Sequence, residues 1–132
     1  MKIRALENTD FCQVLEIWKR SFSNNFDKQI NTSYLSDPSS ITIVSVDNDT
    51  VTGVASLHVI KKLTRTLGLI EDVAVNENYR GKGIGKKLVE KLIVIASEKN
   101  CDKTVLNSSE KNSEFYKKLG FEKNEIQMII RN

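Results

Sequence analysis

A glycine-rich stretch between a strand-like run and a long amphipathic helix constrains the fold of this 132-residue chain more than any other feature. Residues 80–85 read RGKGIG, so three glycines fall within five residues and cations stand among them. Glycine lets a backbone approach a ligand closely. The first N–H groups of a helix have no acceptor inside the helix, and the positive end of the helix dipole favours an anion. The sequence therefore predicts a phosphate-binding turn at the start of this helix.

The composition predicts one domain over residues 1–132 with a single core. Hydrophobic residues make up 39% of the chain and charged residues 28%, as in an ordinary globular protein. No apolar run approaches the roughly 20 residues that a membrane span needs. The start MKIR is charged and indicates a first strand rather than a signal peptide, so we expect a cytoplasmic protein.

The charges and the few chemically reactive residues exclude several function classes. The net charge is only +3, the 20 cations are spread along the chain, and aromatic residues amount to 7%. A nucleic-acid surface needs clustered cations and stacking aromatics, so we expect neither a nucleic-acid nor a membrane partner. Cys12 and Cys101 form no CxxC pair and are expected to be reduced packing residues. The single histidine, His58, indicates neither a metal cluster nor a catalytic triad and predicts a polar surface position.

Hydrophobic periodicity and turn residues predict the element order β-α-α-β-β-β-α-β-α-β. Strands are expected at residues 3–6, 41–46, 51–60, 67–75, 104–107 and 126–130, and helices at 11–22, 27–35, 83–99 and 110–119. In the weaker second helix, Ile30, Tyr34 and Leu35 are expected to point inward. Three antiparallel strands followed by a βαβ crossover indicate an α/β (α+β) fold with a mixed sheet covered by helices.

Two common phosphate loops do not fit the glycine-rich stretch. A P-loop requires GxxxxGK[ST], but Lys86 is followed by Lys87 instead of a hydroxyl residue. A dinucleotide fingerprint requires GxGxxG, but its third glycine would fall at Lys86. The loop also comes late in the chain, after several predicted strands, whereas in a Rossmann fold it follows the first strand. A magnesium nucleotide and a dinucleotide are therefore both disfavoured as ligands.

A third pattern, [Arg/Gln]-x-x-Gly-x-[Gly/Ala], is satisfied by Arg80, Gly83 and Gly85. It resembles the coenzyme A pyrophosphate loop of the GCN5-related N-acetyltransferases. The flanking chain is similar to the glucosamine 6-phosphate N-acetyltransferases in particular. The stretches that carry this similarity are IEDVAVN (70–76), YRGK (79–82), NCDK (100–103), EKN (110–112), FY (115–116), GF (120–121) and QMIIR (127–131). They lie in the C-terminal half, and the first half matches only in element order.

The resemblance implies a mixed, mostly antiparallel sheet with a splayed parallel strand pair, and acetyl-CoA as co-substrate without a metal. The backbone of the strand at 73–75 would pair with the pantetheine arm, and N–H groups of residues 82–86 would hold the pyrophosphate. The cofactor-binding residues implied in this way are Val73, Ala74, Val75, Arg80, Gly81, Lys82, Gly83, Ile84, Gly85, Lys86, Asn112 and Tyr116.

The resemblance also implies direct acetyl transfer to the primary amine of a small molecule, an amino-sugar phosphate such as glucosamine 6-phosphate. An ammonium cannot attack, so the amine must first lose a proton. The family carries acidic residues at Glu71 and Asp72. Because neighbours in a strand point to opposite faces, one of them would face the substrate, and Glu71 is favoured. Tyr116 stands where the family has a tyrosine near the thioester sulfur, as general acid or hydrogen-bond donor to the thiolate.

Two further positions bear on the acceptor. Asn107 stands where these enzymes usually have a carboxylate for the amine, and an amide cannot take that proton. Arg131 resembles a C-terminal arginine that contacts the sugar phosphate, often across a dimer interface, so a homodimer is expected. An exposed terminal cation is the alternative interpretation of Arg131. An amino acid, a polyamine or a protein amine as acceptor, and a regulatory module that binds coenzyme A without turnover, also remain open.

Overall fold

The computed structural model describes residues 1–22 and 30–132. The strands are β1 (Lys2–Ala5), β2 (Ser40–Asp47), β3 (Thr50–Lys61), β4 (Thr66–Val75) and β5 (Lys103–Leu106). The α-helices are α1 (Phe11–Ser21), α2 (Ile84–Glu98) and α3 (Glu110–Lys118). Within residues 1–22 and 30–132, no helix combines the length and the apolar character needed to cross a membrane.

In the part of the chain that the structure describes, the strands form one sheet in the order β1-β2-β3-β4-β5. Strands β1 to β4 pair antiparallel in sequence, and β4 pairs parallel with β5. A parallel pair needs a long crossover connection, which α2 provides. The mixed, mostly antiparallel sheet that the sequence predicted is thereby confirmed.

The helix α2 covers one face of the sheet with its apolar stripe. Ile84, Leu88 and Leu92 are buried there against Leu57 of β3. Helix and sheet approach closely at Gly53, where a Cβ would lie 2.9 Å from atoms of both Ile84 and Leu88. The start of α2 is therefore fixed against the middle of the sheet, beside the end of β4.

The helix α1 covers part of the opposite face. Val14 and Ile17 are buried there against Val54 of β3. The chain enters α1 through Asp10, whose carboxylate accepts two hydrogen bonds from Arg4, at 2.7 and 2.9 Å. Asp10 also accepts a bond of 2.8 Å from the N–H of Glu7. Together these bonds hold the pKa of Asp10 below its usual value and fix α1 to β1.

The helix predicted at 27–35 is wrong in its described part, and residues 27–29 lie outside the described residues. A short 3-10 turn, Thr32–Ser36, stands there, begun by the Asn31 side chain, which accepts a bond from the Ser33 N–H. A turn this short presents no continuous apolar face to the sheet. Leu35 is accordingly 45% exposed and Ile30 36%, so neither points inward as predicted. Tyr34 is half-buried.

The strand predicted at 126–130 is also wrong. In the described part of the chain, residues 121–132 carry no regular structure. Ile126, Met128 and Ile130 are 88–90% exposed. Their alternating pattern suits a strand, but a strand forms only where a second backbone accepts and donates its hydrogen bonds.

Candidate active site

The strands β4 and β5 separate halfway along β4. They pair from Leu67 with Lys103 to Ile70 with Leu106, but β4 continues to Val75. Beyond Ile70 the edge of β4 that faces β5 therefore has no partner from β5. Such an edge can pair with an extended ligand that carries amide groups. The splayed parallel pair expected from the resemblance is present.

A 3-10 turn, Glu77–Tyr79, connects β4 to the glycine turn, residues 80–85. Gly81 and Gly83 have φ of +80° and +79°, a left-handed backbone that glycine adopts without a steric cost. The first hydrogen bond of α2 runs from the N–H of Lys87 to the carbonyl of Gly83, at 3.1 Å. The N–H groups of residues 84–86 consequently have no acceptor within the helix. They point out of its positive end, next to the gap between the strands.

The space above this turn is open and surrounded by cations. A Cβ added to Gly81 or Gly83 would meet no atom within 4 Å. Arg80, Lys82 and Lys86 are exposed around it. The ammonium group of Lys82 lies 5.2 Å from the centre of the Tyr79 ring, a cation–π contact. Free N–H donors, a helix dipole and three cations beside an open surface fit a diphosphate group.

Helix α3 meets the glycine turn at the end of β4. A Cβ added to Gly85 would lie 3.6 Å from both the Phe115 ring and the Val75 side chain. The ring of the next residue, Tyr116, makes edge-on contacts with the rings of Phe115 and Phe121, with centres 5.0 and 6.0 Å away. Burial raises the pKa of Tyr116. Its phenol is therefore protonated at neutral pH and can donate a hydrogen bond.

Tyr116 and Asn107 line the same cleft of about 990 Å³, between β5, α3 and the C-terminal segment. Asn107 follows β5 directly and is exposed. Asn112 lies in the first turn of α3, where its N–H donates to Oγ of the capping residue Ser109. Arg131 lies in the exposed C-terminal segment. The structure thus brings Asn107 and Tyr116 together.

The acidic residues Glu71 and Asp72 lie at a β-bulge. Ser56 pairs with Glu71 and Val54 with Ala74, so two residues of β4 stand opposite Ala55 alone. Asp72 takes the left-handed conformation, with φ of +55°. Ile70 and Val73 lie three positions apart, and yet both pack on the α2 side of the sheet. Strict alternation therefore fails here, and the expectation that Glu71 and Asp72 must point to opposite faces was based on a wrong premise.

The two carboxylates share one electrostatic environment. Burial raises the pKa of Glu71, the negative charge of Asp72 raises it further, and His58 lowers it. Burial also raises the pKa of Asp72, which His58 likewise lowers. Glu71 is half-buried and Asp72 is exposed, so a cation can approach both carboxylates from solvent, and two neighbouring negative charges favour it there. The arrangement is chemically suited to holding an ammonium group.

The indole of Trp18 on α1 fixes the bulge. Its Nε1–H donates to the carbonyl oxygen of Asp72 at 3.1 Å. The helical spacing of Val14, Trp18 and Phe22 predicts only that the indole lies on the apolar face of α1. Because indole has a single N–H donor, its contact with a particular backbone carbonyl could not be read from helical spacing.

An acetyltransferase is the class of protein that this fold and this turn define. Residues 4–121 match the model of the acetyltransferase (GNAT) family, and the chain belongs to that family. It is 40% identical over 110 residues to glucosamine 6-phosphate N-acetyltransferase 1 of Dictyostelium discoideum. This alignment covers 81% of this chain and 67% of that protein. It is 48% identical over 83 residues to glucosamine 6-phosphate N-acetyltransferase of Trypanosoma brucei brucei. This alignment covers 61% of this chain and only 56% of that protein. The crystal structure of a Trypanosoma brucei acetyltransferase superposes with a TM-score of 0.88 at 34% identity, over 99% of both chains.

Proposed function

We propose that this protein transfers the acetyl group of acetyl-CoA directly to the primary amine of glucosamine 6-phosphate. The glycine turn with its free N–H groups, placed beside the unpaired edge of β4, is the observation that carries the proposal. Membership of the acetyltransferase family supports the reaction. The names of two relatives that share 40% and 48% identity with the chain support the acceptor.

Acetyl-CoA fits the residues that surround the gap between β4 and β5. N–H groups of residues 84–86, with Arg80, Lys82 and Lys86, would hold the diphosphate. Backbone groups of Val73–Val75 would pair with the amides of the pantetheine arm. When bound, the thioester supplies an activated acetyl carbonyl and a thiolate leaving group.

Tyr116 would stabilise that leaving group as a hydrogen-bond donor. A free tyrosine titrates near about 10 and a thiol near about 8.5, so complete proton transfer would be uphill by roughly 2 kcal/mol. Because burial raises the pKa of Tyr116 further, full transfer becomes less favourable still. A phenolic hydrogen bond to the developing thiolate is therefore the better description of its role.

Glu71 and Asp72 would bind the acceptor as an ammonium ion, and Asn107 would orient it. The amide of Asn107 can accept a hydrogen bond from the amine but cannot take its proton. Glucosamine 6-phosphate is attracted through its amine by the carboxylates. We assign its phosphate to Arg131, supplied by a second copy of the chain.

A thiol-release assay tests the acceptor. With saturating acetyl-CoA, we expect kcat/KM for glucosamine 6-phosphate to exceed that for glucosamine at least tenfold, because only the former offers a phosphate to a cation. Glucose 6-phosphate, which lacks the amine, is the matched negative control. If an amino acid, a polyamine or a peptide amine is turned over preferentially, that amine replaces glucosamine 6-phosphate as the proposed acceptor. Tight acetyl-CoA binding without turnover of any amine in the panel would favour a regulatory module instead.

We further propose that the chain is a homodimer joined through its C-terminal segment. The side chains of Ile126, Met128 and Ile130 alternate along the segment and are almost fully exposed. The segment lies beside β5, and residues 126–128 line the cleft next to that strand. An extended apolar segment beside an edge strand is suited to pairing with a second backbone.

Sedimentation at micromolar concentration tests the dimer. We expect the wild-type chain to sediment as a dimer and Met128→Lys as a monomer, because the lysine would place a charge in the buried centre of the interface. Val94→Lys is the matched control, since Val94 is a 51% exposed apolar residue on α2 and should leave the dimer intact. A monomeric wild-type chain would contradict the proposal.

A further inference from the structure

The only histidine of the sequence lies beside the acidic pair. Ser56 pairs with Glu71 and His58 with Leu69 in the antiparallel β3–β4 register. Directly paired residues point to the same face, so His58 and Glu71 are diagonal neighbours, about 7–8 Å apart along the sheet. His58 also influences the charge of both Glu71 and Asp72. The imidazole is half-buried, so its ring is held by its neighbours and still reaches solvent.

A chain of hydrogen bonds determines which nitrogen of His58 is basic. Ser40 Oγ donates its one hydrogen to Asp37 Oδ2 at 3.1 Å and lies 3.3 Å from His58 Nδ1. Because that hydrogen is already used, Ser40 can only accept from Nδ1–H. Ser39 donates its N–H and its hydroxyl to Asp37. These bonds lower the pKa of Asp37 and keep its carboxylate anionic. The lone pair of His58 therefore lies on Nε2.

We propose that His58 Nε2 takes the proton from the acceptor amine, the step that Asn107 cannot perform. This role presupposes amine acetylation, as proposed above. The ammonium loses one proton to Nε2, and the freed nitrogen lone pair forms the C–N bond as the C–S bond breaks. The second proton of the nitrogen ends on the departing thiolate. The products are an amide, a thiol and one proton, which the imidazolium returns to water.

The groups around His58 suit this step. Glu71 and Asp72 on β4 and Asp37 before β2 lie close enough for His58 to lower their pKa values, and Tyr34 of the 3-10 turn contacts the imidazole. The Tyr34 ring meets the imidazole edge-on, with centres 6.2 Å apart. The carboxylates stabilise the imidazolium that forms, and the tyrosine ring limits its rotation.

The pH dependence of kcat/KM for the acceptor tests this role. His58→Gln keeps a polar group near Ser40 but cannot take a proton. We expect it to lower kcat/KM about a hundredfold at pH 7.5. We expect the wild-type pH profile to fall on its acidic side as the imidazole becomes protonated, and this acidic limb should be absent in His58→Gln. The dissociation constant of acetyl-CoA, measured by calorimetry, should change less than twofold, and added imidazole should restore part of the activity of His58→Gly.

Two outcomes would overturn the role of His58. The first is a kcat/KM in His58→Gln equal to that of the wild type. The second is a pH profile of His58→Gln that keeps the acidic limb, together with a His58→Gly variant that imidazole does not reactivate. If the glutamine variant does not fold, Ser40→Ala replaces it, with an expected severalfold loss of kcat/KM from a misoriented ring; unchanged kcat/KM would count against the proposal. If glucosamine 6-phosphate is not acetylated by the wild-type enzyme, only the proposed acceptor fails. The same variants are then compared with whichever amine of the panel is acetylated, and acetylation of none overturns both.

Discussion

Tyr116→Phe is expected to lower kcat about 100- to 1,000-fold, the usual effect of removing one donor to a charge that develops in the transition state. The substitution removes only the hydroxyl, so the edge-on contacts of the ring with Phe115 and Phe121 remain. The free energy of unfolding should change by less than about 1 kcal/mol. Steady-state kinetics gives kcat, and calorimetry should find the acetyl-CoA dissociation constant within twofold of wild type.

Tyr79→Phe is the matched control for this variant. Tyr79 is a half-buried tyrosine beside the glycine turn, and its ring, which carries the contact with Lys82, is retained. Its kcat should equal the wild-type value. Equal kcat in Tyr116→Phe and wild type would remove the leaving-group role and reduce Tyr116 to a packing residue of α3.

Gly83→Ala is expected to weaken acetyl-CoA binding about a hundredfold. At a φ of +79°, alanine costs roughly 1–2 kcal/mol in backbone strain. The added methyl group meets no protein atom within 4 Å, so it would stand in the open space above the turn where we place the diphosphate. Calorimetric titration of the ligand-free protein with acetyl-CoA measures the loss.

Gly120→Ala separates strain from ligand contact. Gly120 also has a positive φ, +102°, and a Cβ added there likewise meets nothing within 4 Å. Thermal unfolding should show both variants destabilised, because both force alanine into an unfavourable backbone region. Only Gly83→Ala should bind acetyl-CoA more weakly. Equal affinity in the two variants would mean that the glycine turn does not hold the diphosphate.

The order of the elements from β2 to α3 could be predicted from the sequence, because each element there carries a strong periodic pattern. In α2, for example, Ile84, Leu88, Leu92 and Ala96 recur at helical spacing, and all are buried. The helix predicted at 27–35 is wrong because the spacing of Ile30, Tyr34 and Leu35 suits a helical stripe, whereas the chain forms only a 3-10 turn at Thr32–Ser36. The strand predicted at 126–130 is wrong because alternating apolar residues indicate which side chains could face a partner strand. They do not indicate whether a partner strand is present.

The site was predictable where it depends on local backbone chemistry and not where it depends on register. The glycine turn needs only neighbouring residues, so its letters sufficed. The bulge at Asp72 depends on how β3 and β4 align, which no short pattern encodes. For the same reason the approach of His58 to Glu71 was missed, since a lone histidine on a strand looks like any polar surface residue.

The four-residue parallel pairing between β4 and β5 has a mechanical consequence. These four residue pairs connect β5 and α3 to the remaining sheet, next to the gap where the two strands separate. Local opening of a small paired region takes less free energy than global unfolding, so amide hydrogens in these pairs should exchange early. An extended ligand between β4 and β5 would pair with the free strand edge and connect the two parts. Local opening would then be slower while the ligand is bound and faster after it leaves.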